Sequence, residues 1–569
     1  MKNSLFLFLA LSLTQLPLFG QTLSADWLRT ISSPAQPDEV PAEGIDFVTD
    51  PQGNSYFLGY YYDKLLLEPG VFLDNSGTDD WLFLAKYSPL GDLLWVSRIT
   101  GPPNGLPFQF GSSGRLAVDN TGNVYVSGNF LSDSVMFGND VLVQRSCQFG
   151  CEELFIAQYN SAGIAQWAKT IRAADAISHQ IGGLGCDAQG NLYLAGIYGG
   201  DFLGFPGNND FEDLAGNGVF VARLNNQAEP LWVRFLEDNS AFAELNSMAV
   251  SANGNIFIGG SYYDGPLVFN NGTTLPLFSD QDYYVAAYKA DGALQWVKNL
   301  HSDDYLDVLD LDADNLGNVY IACDLSGELR SGANQLIPAG TSFYTGVLLR
   351  MNTTEFGLPV VIPYNDDGYT LLATAVSPEG QFYTGGFFTD SPLEVGDFEV
   401  TNVGCANILI STGVDDQIQG AYSLGGPNCE GISNFYYGSA MDLDALGNLY
   451  ISGVYFQGLE IDNFEASGGG MFVAKLQTGT PSSAPEFPGA GLTFQLTPNP
   501  TSGAFQLSFG RDVSAGWVTL SDLNGRELLR QPIQGTSVTL TPDLAEGVYL
   551  VYVQTPEGRS VQKLTVGGK

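Results

Sequence analysis

One phrase occurs seven times along this chain at nearly even spacing, and that periodicity constrains the fold more tightly than any single residue. The copies read DPQGNSYFLG from Asp50, DNTGNVYVSG from Asp119, DAQGNLYLAG from Asp187, SANGNIFIGG from Ser251, DNLGNVYIAC from Asp314, SPEGQFYTGG from Ser377 and DALGNLYISG from Asp444. Their turn glycines, Gly53, Gly122, Gly190, Gly254, Gly317, Gly380 and Gly447, are separated by 69, 68, 64, 63, 63 and 67 residues. A repeat this long, filled with β-patterned runs, is a repeat of whole sheets.

Within each copy, an Asp or Ser, two spacers and a Gly lie between alternating apolar runs, which is the chemistry of a hairpin turn with a positive φ. A second run follows about thirty residues later: FLAKY (Phe83), FIAQY (Phe155), FVARL (Phe220), YVAAY (Tyr284), VLLRM (Val347) and FVAKL (Phe472). A third carries Trp95, Trp167, Trp232 or Trp296, and continues in weakened form near Val360 and Tyr422. With the run before the turn, this predicts four strands per repeat, the content of one propeller blade. The Trp strand is absent after the seventh copy, yet SADWLRTI places Trp27 in the same setting 68 residues before Trp95. The expected fold is all-β: a seven-bladed β-propeller over residues 21–476, whose N-terminal strand closes the last blade and removes an open edge.

Where GN-aromatic-V-x-G, FVAKL and LxW recur together, roughly over residues 25 to 476, the chain resembles the SBBP family of seven-bladed propeller repeats. Copies five and six depart from the pattern, lacking the outer Trp, and Gln381 replaces the usual Asn.

The chain ends read differently. Residues 1–20 carry Lys2, an apolar stretch from Leu5 to Leu13 and a break before Gln21, the pattern of a secretory signal peptide. No later stretch is long and apolar enough to predict a transmembrane helix. Residues 477–491, QTGTPSSAPEFPGAG, read as a linker. Residues 492–569 alternate in short runs that predict a small Ig-like β-sandwich. Pro498, Asn499, Pro500, Thr501 and Gly503, then Asp522 to Arg526 with Gly525, then Gly547 and Tyr549, and finally Lys563 make this segment resemble the type A C-terminal sorting domain of type IX secretion cargo. The resemblance implies partners in the type IX translocon and sortase. It implies export across the outer membrane, removal of the tail, and residence on the cell surface or in the medium.

Residues 492–569 hold six Lys/Arg and six Asp/Glu, so the remaining chain has 16 against 56 and the formal charge of −40 belongs entirely to it. Such a surface repels phosphate backbones and excludes nucleic acid as a partner. Among the cysteines, Cys147 with Cys151 and Cys405 with Cys429 are the disulfide candidates, while Cys186 and Cys323 replace repeat positions and read as small buried thiols.

The long connections from each Trp strand to the next repeat fall on one face, where propellers usually bind. In register they carry Asp38-Glu39, Asp175, Glu237-Asp238, Asp303-Asp304 and Asp366-Asp367, beside His179, His301, Tyr305, Tyr369, Phe108 and Phe110. Carboxylates with aromatics suit a glycan or another surface ligand, and Asp303, Asp304, Asp366 and Asp367 form the candidate cation site, with calcium as its ion. The competing reading is solvated charge, since 56 acidic groups populate several loops by chance. Asp310, Asp312 and Asp314 imitate a calcium loop but lack its Gly and distal Glu, and strand alternation explains them better. With two His and no nucleophile elbow, P-loop or HExxH, binding or adhesion is the expected role. A carbohydrate-active enzyme working with carboxylates and a structural surface-layer component are the alternatives.

Overall fold

A computed structural model describes the chain over residues 22–566 apart from connecting segments, the larger being 33–41, 102–113, 144–152, 353–359, 425–439 and 480–493. The repeated phrase is a self-contained hydrogen-bonding device. In the first copy, the N–H groups of Gln52 and Asn54 donate to Asp50 Oδ1 at 3.0 and 2.9 Å, while Asn54 Nδ2 and the Tyr56 hydroxyl donate to Oδ2 at 2.8 and 3.0 Å. Asp187, Asn191 and Tyr193 repeat the arrangement. At Ser251 and Ser377 the hydroxyl oxygen takes only the amide four residues on, at 3.2 and 3.1 Å. All seven turn glycines adopt φ between 74° and 91°, the left-handed region that a side chain disfavours.

The strands form several sheets, antiparallel apart from one parallel pairing of Thr345 with Tyr369, and among the described residues the first six repeats each contribute the same four-stranded unit. Unit 1 runs from an inner strand, Ala42–Thr49, through Ser55–Tyr61 and Trp81–Tyr87 to an outer strand, Leu93–Thr100. The weakened outer strands of units 5 and 6 are Val360–Pro363 and Gln417–Leu424. Unit 7 has only three strands from its own repeat, Ala440–Leu443, Leu449–Tyr455 and Gly470–Gly479. Its fourth is the N-terminal strand Thr22–Ser32, antiparallel to Gly470–Gly479 from Thr22 opposite Gly479 to Ser32 opposite Gly470. Pairing thus continues to Gly479 rather than ending at 476.

One element was invisible in the pattern. The connection between the second and third strands of each unit holds a two-stranded hairpin, and five of these pair with the outer strand of the preceding unit. Ser134–Phe137 of unit 2 thus joins Leu93–Thr100 of unit 1, and Leu65–Glu68 of unit 1 joins the N-terminal strand. These strands are two to four residues long, too short to show a period.

The apolar core lies between units rather than within them. Trp27, Ile31, Tyr450, Val454 and Val473 of unit 7 pack with Phe47, Phe57 and Phe83 of unit 1 in one cluster. Six other clusters each join a successive pair of units, and the inner strands touch in a cycle that returns from unit 7 to unit 1. The Trp strand supplies a second seam. Indole Nε1 of Trp27, Trp95 and Trp232 donates at 3.0 Å to the carbonyls of Pro89, Ser161 and Ala290, each in the last turn of the following unit. A Cβ on Gly91, Gly163 or Gly292 in those turns would lie 2.7, 2.5 or 2.9 Å from the indole. Where Ala228 occupies that turn position, at φ 60°, Trp167 Nε1 has no partner among the described residues.

The tail, from Phe494 to Val566, is a separate five-stranded antiparallel sheet with its own core around Leu507, Leu520, Val551 and Leu564.

The seam between units 7 and 1 is built like the others, which makes it testable at single residues. Trp27→Ala should cost on the order of 3–5 kcal/mol, and Gly91→Ala about 1–3 kcal/mol through overlap with the indole and an unfavourable φ. Denaturant titration should show both losses; unchanged midpoints would mean that the N-terminal strand contributes nothing to the seam.

Candidate functional site

Two places carry concentrated polar chemistry: the space enclosed by the inner strands and the rim formed by the long connections. The enclosed space is a cavity of about 890 Å³ lined by residues of all seven inner strands, including Asp46, Arg115, Leu184, Met248, Asp310, Asp312, Thr374 and Asp442. An inner strand is the edge of its sheet, so its outward N–H groups need acceptors. Four carboxylates provide them in one regular geometry. Asp46 accepts from Phe47 N at 2.9 Å and from Leu116 N of unit 2 at 2.6 Å. Asp310 accepts from Leu311 N and from Thr374 N of unit 6, both at 2.9 Å. Asp312 accepts from Ala313 N and Val376 N at 2.7 and 2.6 Å. Asp442 accepts from Leu443 N at 2.7 Å and from Thr49 N of unit 1 at 2.6 Å. Each carboxylate lies two or four residues before the turn Asp and joins its own inner strand to the next. Ser247 Oγ accepts from Leu311 N in the same way, at 3.2 Å. Asp310 and Asp312 are therefore strand residues and Asp314 a turn residue, as alternation predicts.

Burial pushes these carboxyls upward in pKa despite the amides they hold. Asp310 rises from 3.8 to about 6 and Asp442 to about 7, each mainly by desolvation. Asp46 is also raised by burial, against the lowering effect of the Arg115 guanidinium. Asp312 is raised by burial and further by Asp442 and Asp310.

At the rim, Asp303 and Asp304 occupy the short connection between units 4 and 5. Asp303 Oδ1 accepts from Glu328 N at 2.6 Å and Asp304 Oδ2 from Ser326 Oγ at 2.5 Å, so both hold the turn at Gly327. Asp366, Asp367 and Asp238 lie outside the described residues, as do Asp38, Glu39, Asp175, Phe108 and Phe110. Glu237 ends the outer strand of unit 3 and Tyr369 begins the inner strand of unit 6, with their side chains outside the described set. Among the described residues no cluster of three His, Cys, Asp or Glu is arranged to hold a metal ion. Both His residues are structural: His179 Nδ1 accepts from Gly199 N at 3.0 Å, and His301 Nδ1 lies 2.8 Å from Asn299 Oδ1. Cys186 and Cys323 are free thiols, Cys323 fully buried, and burial raises both in pKa. Cys147, Cys151, Cys405 and Cys429 fall outside the described residues.

The rim also holds aromatics that the acidic pattern did not reveal. Phe242, 45% exposed, stacks on Tyr263 with ring centroids 5.4 Å apart and planes at 17°. Phe278, 49% exposed, stacks on His301 at 4.7 Å and 6°. Tyr305, which the sequence placed beside the Asp303-Asp304 pair, is 39% exposed. The legible signal was an aromatic in a polar connection, as in LPLFSDQD, rather than an acidic pair.

The inner-strand carboxyls lead to a pH prediction with a defined sign. A carboxyl raised in the folded state stabilises the fold in its neutral form, so its contribution is full below about pH 4 and is lost as pH rises through about 6 to 7. Thermal stability of the wild type should therefore climb between pH 8 and pH 5. Asp442→Asn should flatten part of that climb, because an amide keeps at every pH the single carbonyl acceptor that the neutral carboxyl offers only below about pH 7. Melting curves with the same pH slope in both proteins would refute the assignment.

In the tail, Asn499 Nδ2 donates to Lys563 O at 2.6 Å, Thr565 N donates to Asn499 Oδ1 at 2.9 Å, and Thr501 N donates to Thr565 O at 2.8 Å. The Pro498-Asn499 motif is thus stitched to the terminal strand. Tyr549 is buried and Gly547 pairs with Val566, whereas Pro500, Gly503 and Gly525 lie outside the described residues, as does the Asp522 side chain. Residues 495–567 match the family model described as "Secretion system C-terminal sorting domain". Over 265 residues the chain is 26% identical to an uncharacterized WD repeat-containing protein, L264, of Acanthamoeba polyphaga mimivirus; the match covers 40% of this chain and 18% of that protein. Among solved structures, a protein of unknown function from Bacteroides caccae is 11% identical with a TM-score of 0.25, over 53% of this chain and 78% of that one. A PL25 ulvan lyase, a polysaccharide lyase, is 10% identical with a TM-score of 0.33, over 76% and 96%. TM-scores this low carry no argument about the present chain. The many-stranded antiparallel sheets and the WD-repeat relative fit a propeller-like repeat protein. Residues 495–567 are a type IX secretion sorting domain, which makes the chain that bears it a secreted or cell-surface protein.

Proposed function

We propose that the seven units are the blades of an SBBP-type seven-bladed β-propeller, exported with a cleaved leader over residues 1–20 and a removable tail after the 477–491 linker, and that its role is binding or adhesion. The cyclic contact of inner strands and the N-terminal strand in unit 7 support the propeller. One observation favours binding over hydrolysis. Asp46, Asp310, Asp312 and Asp442, the carboxyls on the cavity wall, each hold amides on both oxygens and join neighbouring units. Acid–base work on a glycosidic bond needs carboxyls whose oxygens reach the substrate. The long-connection rim, with Tyr305, Asp303, Asp304 and the exposed aromatics, is the binding surface in this reading, and a glycan is its ligand class.

A glycan array with parallel hydrolysis assays on the exported protein tests this directly. Retention of a glycan without turnover is the expected result, and turnover removed by a carboxyl-to-amide change on the cavity wall would establish the enzyme instead. Deleting residues 492–569 should leave the repeat region folded but hold it in the periplasm. Unaltered export of the truncated chain would refute the role of the tail.

A further inference from the structure

The mouth between units 4 and 5, on the long-connection face, differs from an ordinary acidic surface because aromatics and carboxylates lie on both of its sides, Phe242 and Glu244 on unit 4 and Tyr305 and Asp307 on unit 5. Strand pairing places Ser261 opposite Tyr283 and Tyr263 opposite Gln281, so Ser261, Tyr263 and Tyr283 project from the same face of the unit 4 sheet. That face meets unit 5, since Tyr283 packs in one cluster with Leu306 and Val308. Glu244 is held there by Ser261 Oγ at 3.0 Å, and the Tyr283 hydroxyl lies 3.3 Å from Asp307 Oδ1. Phe242 stacks on Tyr263 at the outer edge of this wall, and Tyr305 begins the facing strand of unit 5.

Two carboxylates beside one tyrosine repel each other unless a cation screens them, and burial together with Glu244 raises the Asp307 carboxyl. Arg330, on the hairpin that joins this unit, is paired with Glu328 at 2.6 Å. Exposed ring faces accept the C–H face of a sugar and also attract an ammonium group. An anionic polysaccharide would meet the carboxylates with like charge.

We propose that this mouth binds an amine-bearing saccharide, of the glucosamine class, with a sugar face on the Phe242 and Tyr305 rings and its ammonium group toward Glu244 and Asp307. The inference rests on the binding reading above and narrows it to one cleft and one charge class. The last strand of the repeat region leaves on the face opposite this mouth. The last strand of unit 7 begins at the long-connection end, where Gly470 faces Ser32, and leaves at the opposite end, where Gly479 faces Thr22.

The test is calorimetric titration of the full chain with glucosamine tetramer, N-acetylglucosamine tetramer and a polyuronate oligomer. The amino sugar should bind best and lose affinity in salt, the acetylated one should bind more weakly, and the uronate should not bind. Phe242→Ala and Glu244→Gln, both at exposed residues, should each weaken amino-sugar binding by roughly tenfold without moving the melting temperature. Leu446→Ala, an exposed residue on the opposite face, should leave binding unchanged. Uronate binding in preference to amine, or amino-sugar binding insensitive to both rim variants, would overturn this assignment while leaving glycan binding in place. Failure to retain any saccharide on a broad array would overturn both.

Discussion

The structure depends on the burial of apolar surface between neighbouring sheets. No unit has a core of its own: Phe57 and Phe83 of unit 1 face unit 7, whereas Leu58, Leu82 and Leu84 of the same strands face unit 2. Strand alternation makes this possible, because successive residues of one strand serve opposite interfaces. A sheet committed on both faces cannot be solvated on either, so stability has to be shared around the whole set of units. That is why the second strands read as nearly continuous apolar runs, such as VYVSGNF, in which every position is buried.

Polar groups then set the registration that hydrophobic contact leaves loose. The Asp-x-x-Gly-Asn-x-Tyr turn positions a phenol whose hydroxyl reaches the next unit: Tyr450 donates to Gly53 O at 2.9 Å and Tyr320 to Gly380 O at 3.2 Å. The basic residue of the third strand adds to this, with Lys86 over the Tyr56 ring at 4.9 Å and Lys475 over Tyr450 at 5.5 Å. At the inner edge, carboxylates capture the next unit's amides. Turn, inner edge and Trp seam are three hydrogen-bonded registers on one interface, each with directional geometry that dispersion lacks.

Much of this was legible in the chain. The Gly turns, the strand types, the weakened outer strands near Val360 and Tyr422 and the unit 7 setting of Trp27 follow from local chemistry repeated at a fixed period. The hairpins between second and third strands were not, because three-residue strands such as Leu393–Val395 carry no measurable alternation. Nor were the roles of Asp46 and Asp442. An acidic residue inside an apolar run reads as a surface position unless the neighbouring edge amides are known, and those lie 70 and 393 residues away in sequence. At the rim, acidic pairs are so frequent in a chain of charge −40 that they hide the less frequent exposed aromatics Phe242 and Phe278.

Closure through the N-terminal strand has a further physical consequence. Thr22 and Gly479 are paired partners, so the two ends of the repeat region meet at one point on the face that carries the Asp-x-x-Gly turns. The strand that completes unit 7 comes from the beginning of the chain, and its partner is the last strand before the linker. Six interfaces can form as successive repeats become available, but the seventh requires residues separated by nearly the whole repeat region. Contacts this distant in sequence carry the largest loop-closure cost and reward the chain only after the others exist. Placing Trp27, with its indole hydrogen bond to Pro89 and its packing on Gly91, in that last interface gives the contact most distant in sequence the same anchor that Trp95 and Trp232 supply elsewhere. The seventh seam is thereby built like the others, and the same geometry places both ends of the repeat region, Thr22 and Gly479, away from the connections that form the rim.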